Sequence, residues 1–467
     1  CGSFIIMIDK AGKRHYSTKF KLKPVGETWV STKTFTEYPT EWLLEAPEFG
    51  LKIQAAAAFP NQEFATIISK PAFWEGRMNM QGTMNGKKVS GPAYIERHGF
   101  IVSNNMKEFL KAVSKETLKS VNRILPLTFG QKKFEELVSA EGNKGFTDGL
   151  DKEAYAATFI KPIREITDRG GKSWRSYATV ACCDVVGGNS QEAIDWLSLP
   201  ELMHVGSLIV DDVQDRSDVR RGGPAAHKIY GEATAINSGT ACYFFGQICI
   251  YEADIAVEKK AQIYNWYFET MRASHSGQAM DIYGLNYMMP KALKDDAAAK
   301  LLAKRVLATH KLKSAAPASY LARIGGLLGD GTPEQIEGLG NYYEALGIAF
   351  QIIDDTLNIK GFKDQLKSHG EDITAGKITY PMAKAMAQLD KKDRKRLWEI
   401  LSAQTTDLEL IAEAVALLDK KKVIEQCERE AKNILEKAWR QLDPLVRDTM
   451  VKLNLRAFSW FVLERTY

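Results

Sequence analysis

The sequence predicts a mainly α protein: a large all-helical body preceded by a small β domain. Two textures carry this. From Ser103 onward apolar residues recur with a helical period, first through "NNMKEFLKAVSKETLKSVNRIL" and then from Lys152 to the C-terminus. Before that, short alternating runs are interrupted by Pro24, Pro39, Pro47, Pro60 and Pro71, which exclude long helices. The length of 467 residues allows two or three domains, and the helical part is long enough to bury a large core.

The front part reads as hairpins. "FIIMIDKAGKRHYSTKFKL" has a turn at Asp9 to Gly12, and "RMNMQGTMNGKKVSGPAYIERHGF" has the stronger signal, Asn85-Gly86 between alternating segments. The expected division is 1–104 for the β domain, 105–150 for a helical connector and 151–467 for the helical body. No internal repeat is visible. The first residue, Cys1, is expected to be a cut point within a longer protein.

Composition excludes several classes. The chain is 45% hydrophobic and 26% charged, as soluble proteins are. A net charge of +5 without a basic block argues against nucleic acid. No apolar run approaches the roughly 18 residues of a membrane span. The six cysteines follow neither metal nor disulfide spacing, so a reducing, cytoplasmic setting is expected.

The chemistry concentrates in "SLIVDDVQDRSDVRRGG". On a helix Asp211 and Asp215 share a face, with Asp212 about 100° round. Alone, this could be a solvated acidic helix end. "FQIIDDTLN" repeats the spacing with Asp354, Asp355 and Asn358. Two such clusters facing each other repel and call for a cation. Hard oxygen donors without His or Cys point to Mg2+, which takes one or two carboxylates and completes its shell with water and phosphate. Lys172, Arg175, Arg220, Arg221, Lys313, Lys367 and Lys377 supply the charges that phosphate would need, although any one lysine could be a surface charge.

With "GGKSWR", "ELMHVGSLIVDDVQD", "RRGG", "GQAMD", "KLKS", "FQIIDDTLN" and "KSHGEDITAGKITYP" in this order, the body resembles the trans-isoprenyl diphosphate synthases, and most of all the geranylgeranyl diphosphate branch. The resemblance implies an isoprenoid synthase bundle and an Mg2+-dependent prenyltransferase, working as a homodimer. It condenses isopentenyl diphosphate with an allylic diphosphate. By the same resemblance Asp211, Asp215 and Asp354 hold Mg2+. Arg220, Lys313 and Lys377 hold the allylic diphosphate. Lys172, Arg175, His204 and Arg221 hold isopentenyl diphosphate. Gln278, Asp281, Gln351 and Lys367 line the site, with Ser314 in place of the usual threonine. Lys313, Gln351 and Lys377 are the catalytic group. Asn358 departs from the pattern and is expected to make a weaker or indirect metal contact.

Chain length is expected to depend on Gly206 and Ser207, small residues before the first motif, and on Tyr243 and Phe244 as a tunnel floor, giving a C20 product. The rival for both rings is ordinary helical core. Residues 1–104 resemble the C-terminal part of a lipocalin-like carotenoid-hydratase fold, on "YPTEWLLEAPEFGLKIQ" and "FWEGRMNMQGTMNGKKVSGPAYIERHGF". There Glu96 and His98 are either an acid/base pair or a barrel-rim pair, the second being favoured, and Trp74 is read as core or lining. Other functions weighed are a prenyl diphosphate synthase of shorter or longer product (C15, or C25 and beyond), a terpene cyclase, which has no use for a second diphosphate site, a non-catalytic partner subunit, and a composite enzyme whose β domain modifies the terpenoid.

Overall fold

A computed structural model describes residues 3–64, 73–97, 105–138, 144–360 and 370–464. It divides into two compact units, 1–112 and 113–467. The expected boundary at residue 104, together with His98 and Lys367, lies outside the described residues.

The first unit is antiparallel β. Strands β1 (Ile5–Ile8) and β2 (Arg14–Ser17) form the expected hairpin, its turn closed by the Asp9 carboxylate accepting from the Ala11 and Lys13 backbone N–H groups. A separate sheet runs through β3 (Lys21–Val30), β4 (Glu37–Ala46), β5 (Leu51–Ala57) and β7 (Phe73–Met84). Strand β7 also pairs with the short β6 (Glu63–Phe64) and, along its length, with β8 (Lys87–Arg97). Asn85 and Gly86 take positive φ, 48° and 77°, at the β7–β8 turn, as the Asn-Gly signal required. Tyr38, Trp42, Ala55, Trp74 and Met78 form the core of the unit. Trp74 is 2% exposed and donates its indole N–H to the Pro60 carbonyl at 2.9 Å, so it is a core residue. Glu96 lies on β8 opposite Glu75.

The second unit is helical. Its longer helices are α1 (Met106–Ile124, which begins in the first unit), α2 (Gln131–Val138), α3 (Lys161–Asp168), α4 (Trp174–Val186), α5 (Ser198–Gln214), α6 (Glu232–Phe245) and α7 (Val257–Tyr283). They continue as α8 (Asp296–His310), α9 (Ala316–Leu328), α10 (Pro333–Lys360), α11 (Tyr380–Gln388), α12 (Lys391–Ser402), α13 (Leu408–Asp419), α14 (Val423–Leu442) and α15 (Met450–Glu464). The central helices α4, α5, α9 and α10 are apolar on most sides, as helices surrounded by others must be. Among the described residues no helix is long and apolar enough to cross a membrane.

Glycines set the two crossings that matter for the site. A Cβ at Gly206 on α5 would come within 2.6 Å of the Cys242 Cβ on α6, so the two backbones touch there. Between α8 and α9 the chain makes a wide π turn, Lys311–Ala315, and α7 and α10 press on it from two sides. A Cβ at Gly277 would sit 2.8 Å from the Lys313 Cα, and one at Gly347 would sit 2.6 Å from the Ala315 Cα. The backbone of the turn carrying Lys313 is therefore in direct contact with both helices at these glycines. Wide turns of this kind often mark functional sites.

Candidate active site

The apolar face of α5 turns Asp211 and Asp215 toward three other segments. Lys313 donates to Asp281 at 2.8 Å and lies 3.4 Å from Asp211. Lys377 stands 3.4 Å from Asp215. Gln278, one turn before Asp281 on α7, donates to Asp211 at 2.6 Å and to Gln214 at 2.8 Å. Burial opposes charge on Lys313 and Lys377, but the surrounding aspartates more than offset it and hold both lysines above the usual lysine range. Burial likewise opposes ionisation of Asp281, yet Lys313 holds its carboxyl below the usual range. Asp281 also acts through space on Lys377 and Asp355, so it stands between the two motifs.

On α10, Asp354 is partly exposed while Asp355 and Asn358 are buried. Asp355 accepts from the Tyr380 backbone N–H at 2.9 Å and lies 3.5 Å from His310. Asn358 does something the sequence did not disclose. Its side-chain oxygen accepts from the Asp372 backbone N–H at 3.1 Å, and its main-chain carbonyl accepts from Gly370. It anchors the loop that leads to Lys377. Ser314 is also internal, donating to Gln351 at 2.8 Å.

A second cationic group forms around His204. Arg220 and Gly223 pair in a two-residue hairpin, with Arg221 and Gly222 at its turn in the left-handed region, φ 50° and 76°. Arg220 grips the fully buried Asp212 with two nitrogens. Arg221 donates to the buried Glu201 at 3.0 Å and to the Ile166 carbonyl at 3.2 Å. Arg169 holds the hairpin by donating to the Arg220 and Pro224 carbonyls, each at 2.8 Å. A Cβ at Gly171 would lie 2.8 Å from the Arg221 guanidinium, which brings the loop of the half-buried Lys172 against it. Burial, then Arg175, Arg221 and Arg220, push the His204 imidazole well below its ordinary value, so it is neutral at pH 7. Arg169 and Glu201 were missed because a partner in a loop or one turn away carries no pattern of its own.

Of the expected chain-length residues, Ser207 is exposed on the face it shares with Asp211. Gly206 points instead into the α5–α6 crossing, where only hydrogen fits, so its smallness serves packing. The Tyr243 ring meets His275 of α7 edge-on at 5.1 Å. Phe244, 67% exposed, faces outward, so within one chain the two rings do not form a common floor.

The carboxylates suit a hard cation. They are oxygen donors, Asp211 partly exposed near the end of α5 and Asp215 exposed just beyond it, each 3.4 Å from a lysine ammonium. Among the described residues no three Asp, Glu, His or Cys side chains converge on one point.

The profile of one protein family, described as polyprenyl synthetase, matches residues 156–418, more than half of the chain. The chain belongs to the polyprenyl synthetase family. A short chain isoprenyl diphosphate synthase of Methanothermobacter thermautotrophicus is 28% identical over 314 residues, spanning 66% of this synthetase and 91% of that protein. Geranylgeranyl pyrophosphate synthase 4 of Arabidopsis thaliana is 34% identical over 226 residues, 47% of this chain but only 58% of the plant enzyme. The crystal structure of geranylgeranyl pyrophosphate synthetase from Pyrococcus horikoshii Ot3 superposes with a TM-score of 0.61 at 25% identity, covering 76% of this chain and 99% of that one. A Corynebacterium glutamicum geranylgeranyl pyrophosphate synthase, complexed with isoprenyl diphosphate and magnesium, shares the fold at TM-score 0.61 and 22% identity, covering 77% and 99%. This polyprenyl synthetase is thus a trans-prenyltransferase with a helical isoprenoid synthase fold, behind a small β-sheet region.

Proposed function

We propose that the helical unit joins isopentenyl diphosphate head-to-tail to an allylic prenyl diphosphate, with geranylgeranyl diphosphate as its main product. One observation carries this reading: Asp211 and Asp215 each face a lysine brought in by a different segment, Lys313 and Lys377. Carboxylates and ammonium groups interleaved on one open face suit a diphosphate together with the cation that screens it. Asp211, Asp215 and Asp354 would hold Mg2+, whose chemistry here is to stabilise the departing diphosphate. Lys313 and Lys377, both kept protonated, turn from the aspartates to the diphosphate oxygens and stabilise the same charge. Lys172, Arg175, Arg221 and neutral His204 hold isopentenyl diphosphate, so that its double bond attacks the allylic carbon as the C–O bond breaks. The proton lost afterwards goes to the released diphosphate.

The His204 cluster supports a synthase over a cyclase, because a cyclase handles one diphosphate. A product tunnel beneath Ser207 would end at Tyr243 with His275, rather than at Tyr243 with the outward-facing Phe244. Outward-facing Ile236 and Phe244, two turns apart on α6, support pairing with a second copy. The buried, unbridged Cys182, Cys183, Cys242, Cys249 and Cys427 support a reducing compartment such as the cytoplasm. The open sheet of the first unit supports its reading as part of a lipocalin-like fold.

The test is incubation with dimethylallyl, geranyl or farnesyl diphosphate, isopentenyl diphosphate and Mg2+, followed by sizing of the products. A C20 prenyl diphosphate is expected. Release of diphosphate with a cyclic hydrocarbon, and no use of isopentenyl diphosphate, would support the cyclase instead.

A further inference from the structure

Arg175 and Trp174 are consecutive residues in the first turn of α4, yet their side chains meet. The guanidinium carbon lies 4.4 Å from the centre of the indole ring. Neighbours on a helix do not ordinarily face each other, so this guanidinium is folded back over the ring. The ring itself is fixed. Trp174 is 3% exposed and packs at 5.6 Å against Phe350 of α10 and at 5.6 Å against Phe458 of α15. Ser173 takes a left-handed φ of 42° and starts the helix there, which sends the indole inward directly after the Gly-Gly-Lys loop.

We propose that Trp174 is a positioning residue for isopentenyl diphosphate: its clamped ring holds the Arg175 guanidinium in place for the substrate's diphosphate. This rests on the reading of Arg175 as a diphosphate ligand. An arginine free in solvent gives up side-chain freedom when it binds phosphate, whereas one already stacked gives up less. The indole face attracts a guanidinium more strongly than a phenyl ring does, and an aliphatic side chain offers no such attraction. Trp174 therefore acts on substrate affinity and not on the chemical step. It also ties Arg175 to α10, one turn ahead of Asp354.

The experiment varies both substrates with Trp174→Leu, Trp174→Phe, Arg175→Ala and the Leu/Ala double variant. Trp174→Leu is expected to raise KM for isopentenyl diphosphate roughly five- to tenfold. The allylic KM and kcat should stay within about twofold, and Trp174→Phe should restore most of the loss. Arg175→Ala should raise the same KM, and adding Trp174→Leu to it should change little further, because the two residues act as one unit. An unchanged KM in Arg175→Ala would overturn the reading of that arginine as a ligand. A raised KM there, with Trp174→Leu leaving it unchanged or lowering kcat and both affinities alike, would make Trp174 a core residue and overturn the inference. If Trp174→Leu does not fold, Phe458→Leu loosens the ring from α15. It should give a smaller rise in the same KM, and no rise would equally overturn the inference.

Discussion

Asn358 and the Asp372 backbone are joined by a 3.1 Å hydrogen bond in which the side-chain oxygen of Asn358 is the acceptor. In the second aspartate motif this oxygen was expected to make a weaker or indirect metal contact. It is instead committed to the loop that delivers Lys377, whose own N–H bonds back to the Asp372 carbonyl. Asn358→Ala should therefore loosen that loop, with a stability cost of about 1–3 kcal/mol for a buried group left unpaired. Its kinetic effect should fall on allylic affinity, through Lys377, more than on turnover. Urea unfolding beside steady-state kinetics separates the two. A loss of kcat as large as that of Asp354→Ala would put Asn358 in the metal site after all.

The carboxylates themselves should behave otherwise. Asp211→Ala or Asp354→Ala is expected to lower kcat at least about a hundredfold, by analogy with the loss of single preorganised electrostatic groups. Stability should fall little, because Asp211 sits on the open face of α5 and Asp354 is partly exposed. Single-turnover rates at saturating Mg2+ measure this. Near-normal rates would remove both residues from the metal site.

The motifs were legible because they break an apolar helical pattern: "DDVQD" and "IIDDTLN" put carboxylates where the surrounding period asks for Leu or Ile. The Asn85-Gly86 hairpin was legible because so few residues accept positive φ at both turn positions. What could not be read was direction. Gly206 looked like open space beneath the aspartates and is a backbone contact with α6. Tyr243 was paired with its neighbour Phe244, whereas the fold turns Phe244 out and brings His275 to Tyr243 from another helix. Asp212 lies inside the first motif but faces away from its partners, to hold Arg220. Each of these depends on which helix packs where, and residue spacing does not contain that.

Gly277 tests the crossing that holds Lys313. Gly277→Ala would place a Cβ 2.8 Å from the Lys313 Cα, and backbone cannot rotate aside as a side chain can. Overpacking of this kind costs about 1–3 kcal/mol. Because the π turn moves with Lys313, kcat should fall together with stability. Gly206→Ala should cost comparable stability at the α5–α6 crossing. If Gly277→Ala is as stable and active as the parent, the turn is more yielding than its contacts imply.

His204 makes stability depend on pH. Burial and its three arginine neighbours depress its folded pKa well below the ordinary 6.5. Below about pH 6.5 the unfolded chain then binds a proton that the folded chain does not, so stability falls on acidification and returns above it. The slope for one such group is at most about 1.4 kcal/mol per pH unit. His310, lowered to about 4 by burial, adds to the same window. Denaturant unfolding from about pH 7 down to about pH 5 should show the loss, and His204→Gln should flatten it. A slope unchanged in that variant would mean that His204 titrates normally in the folded state.

Ser207 and Tyr243 make the strongest claim about product. Ser207 is one helical turn before Asp211 on the exposed face of α5, and one turn advances about 5.4 Å, close to the reach of one isoprene unit. A ring placed there should stop the growing tail early, so Ser207→Phe is expected to shift products from C20 toward C15. Tyr243 packs edge-on against His275 of α7, with its hydroxyl kept neutral chiefly by burial. Tyr243→Ala should open that end and lengthen products to C25 or beyond, and Tyr243→Ala with His275→Ala should extend them further. Phe244→Ala should change length little on its own, because within one chain its ring faces outward. Chromatographic sizing of the dephosphorylated products reads all four variants. If Phe244→Ala lengthens products as much as Tyr243→Ala does, the Phe244 ring lines the tunnel, and a second copy packed against α6 becomes the way to bring it there.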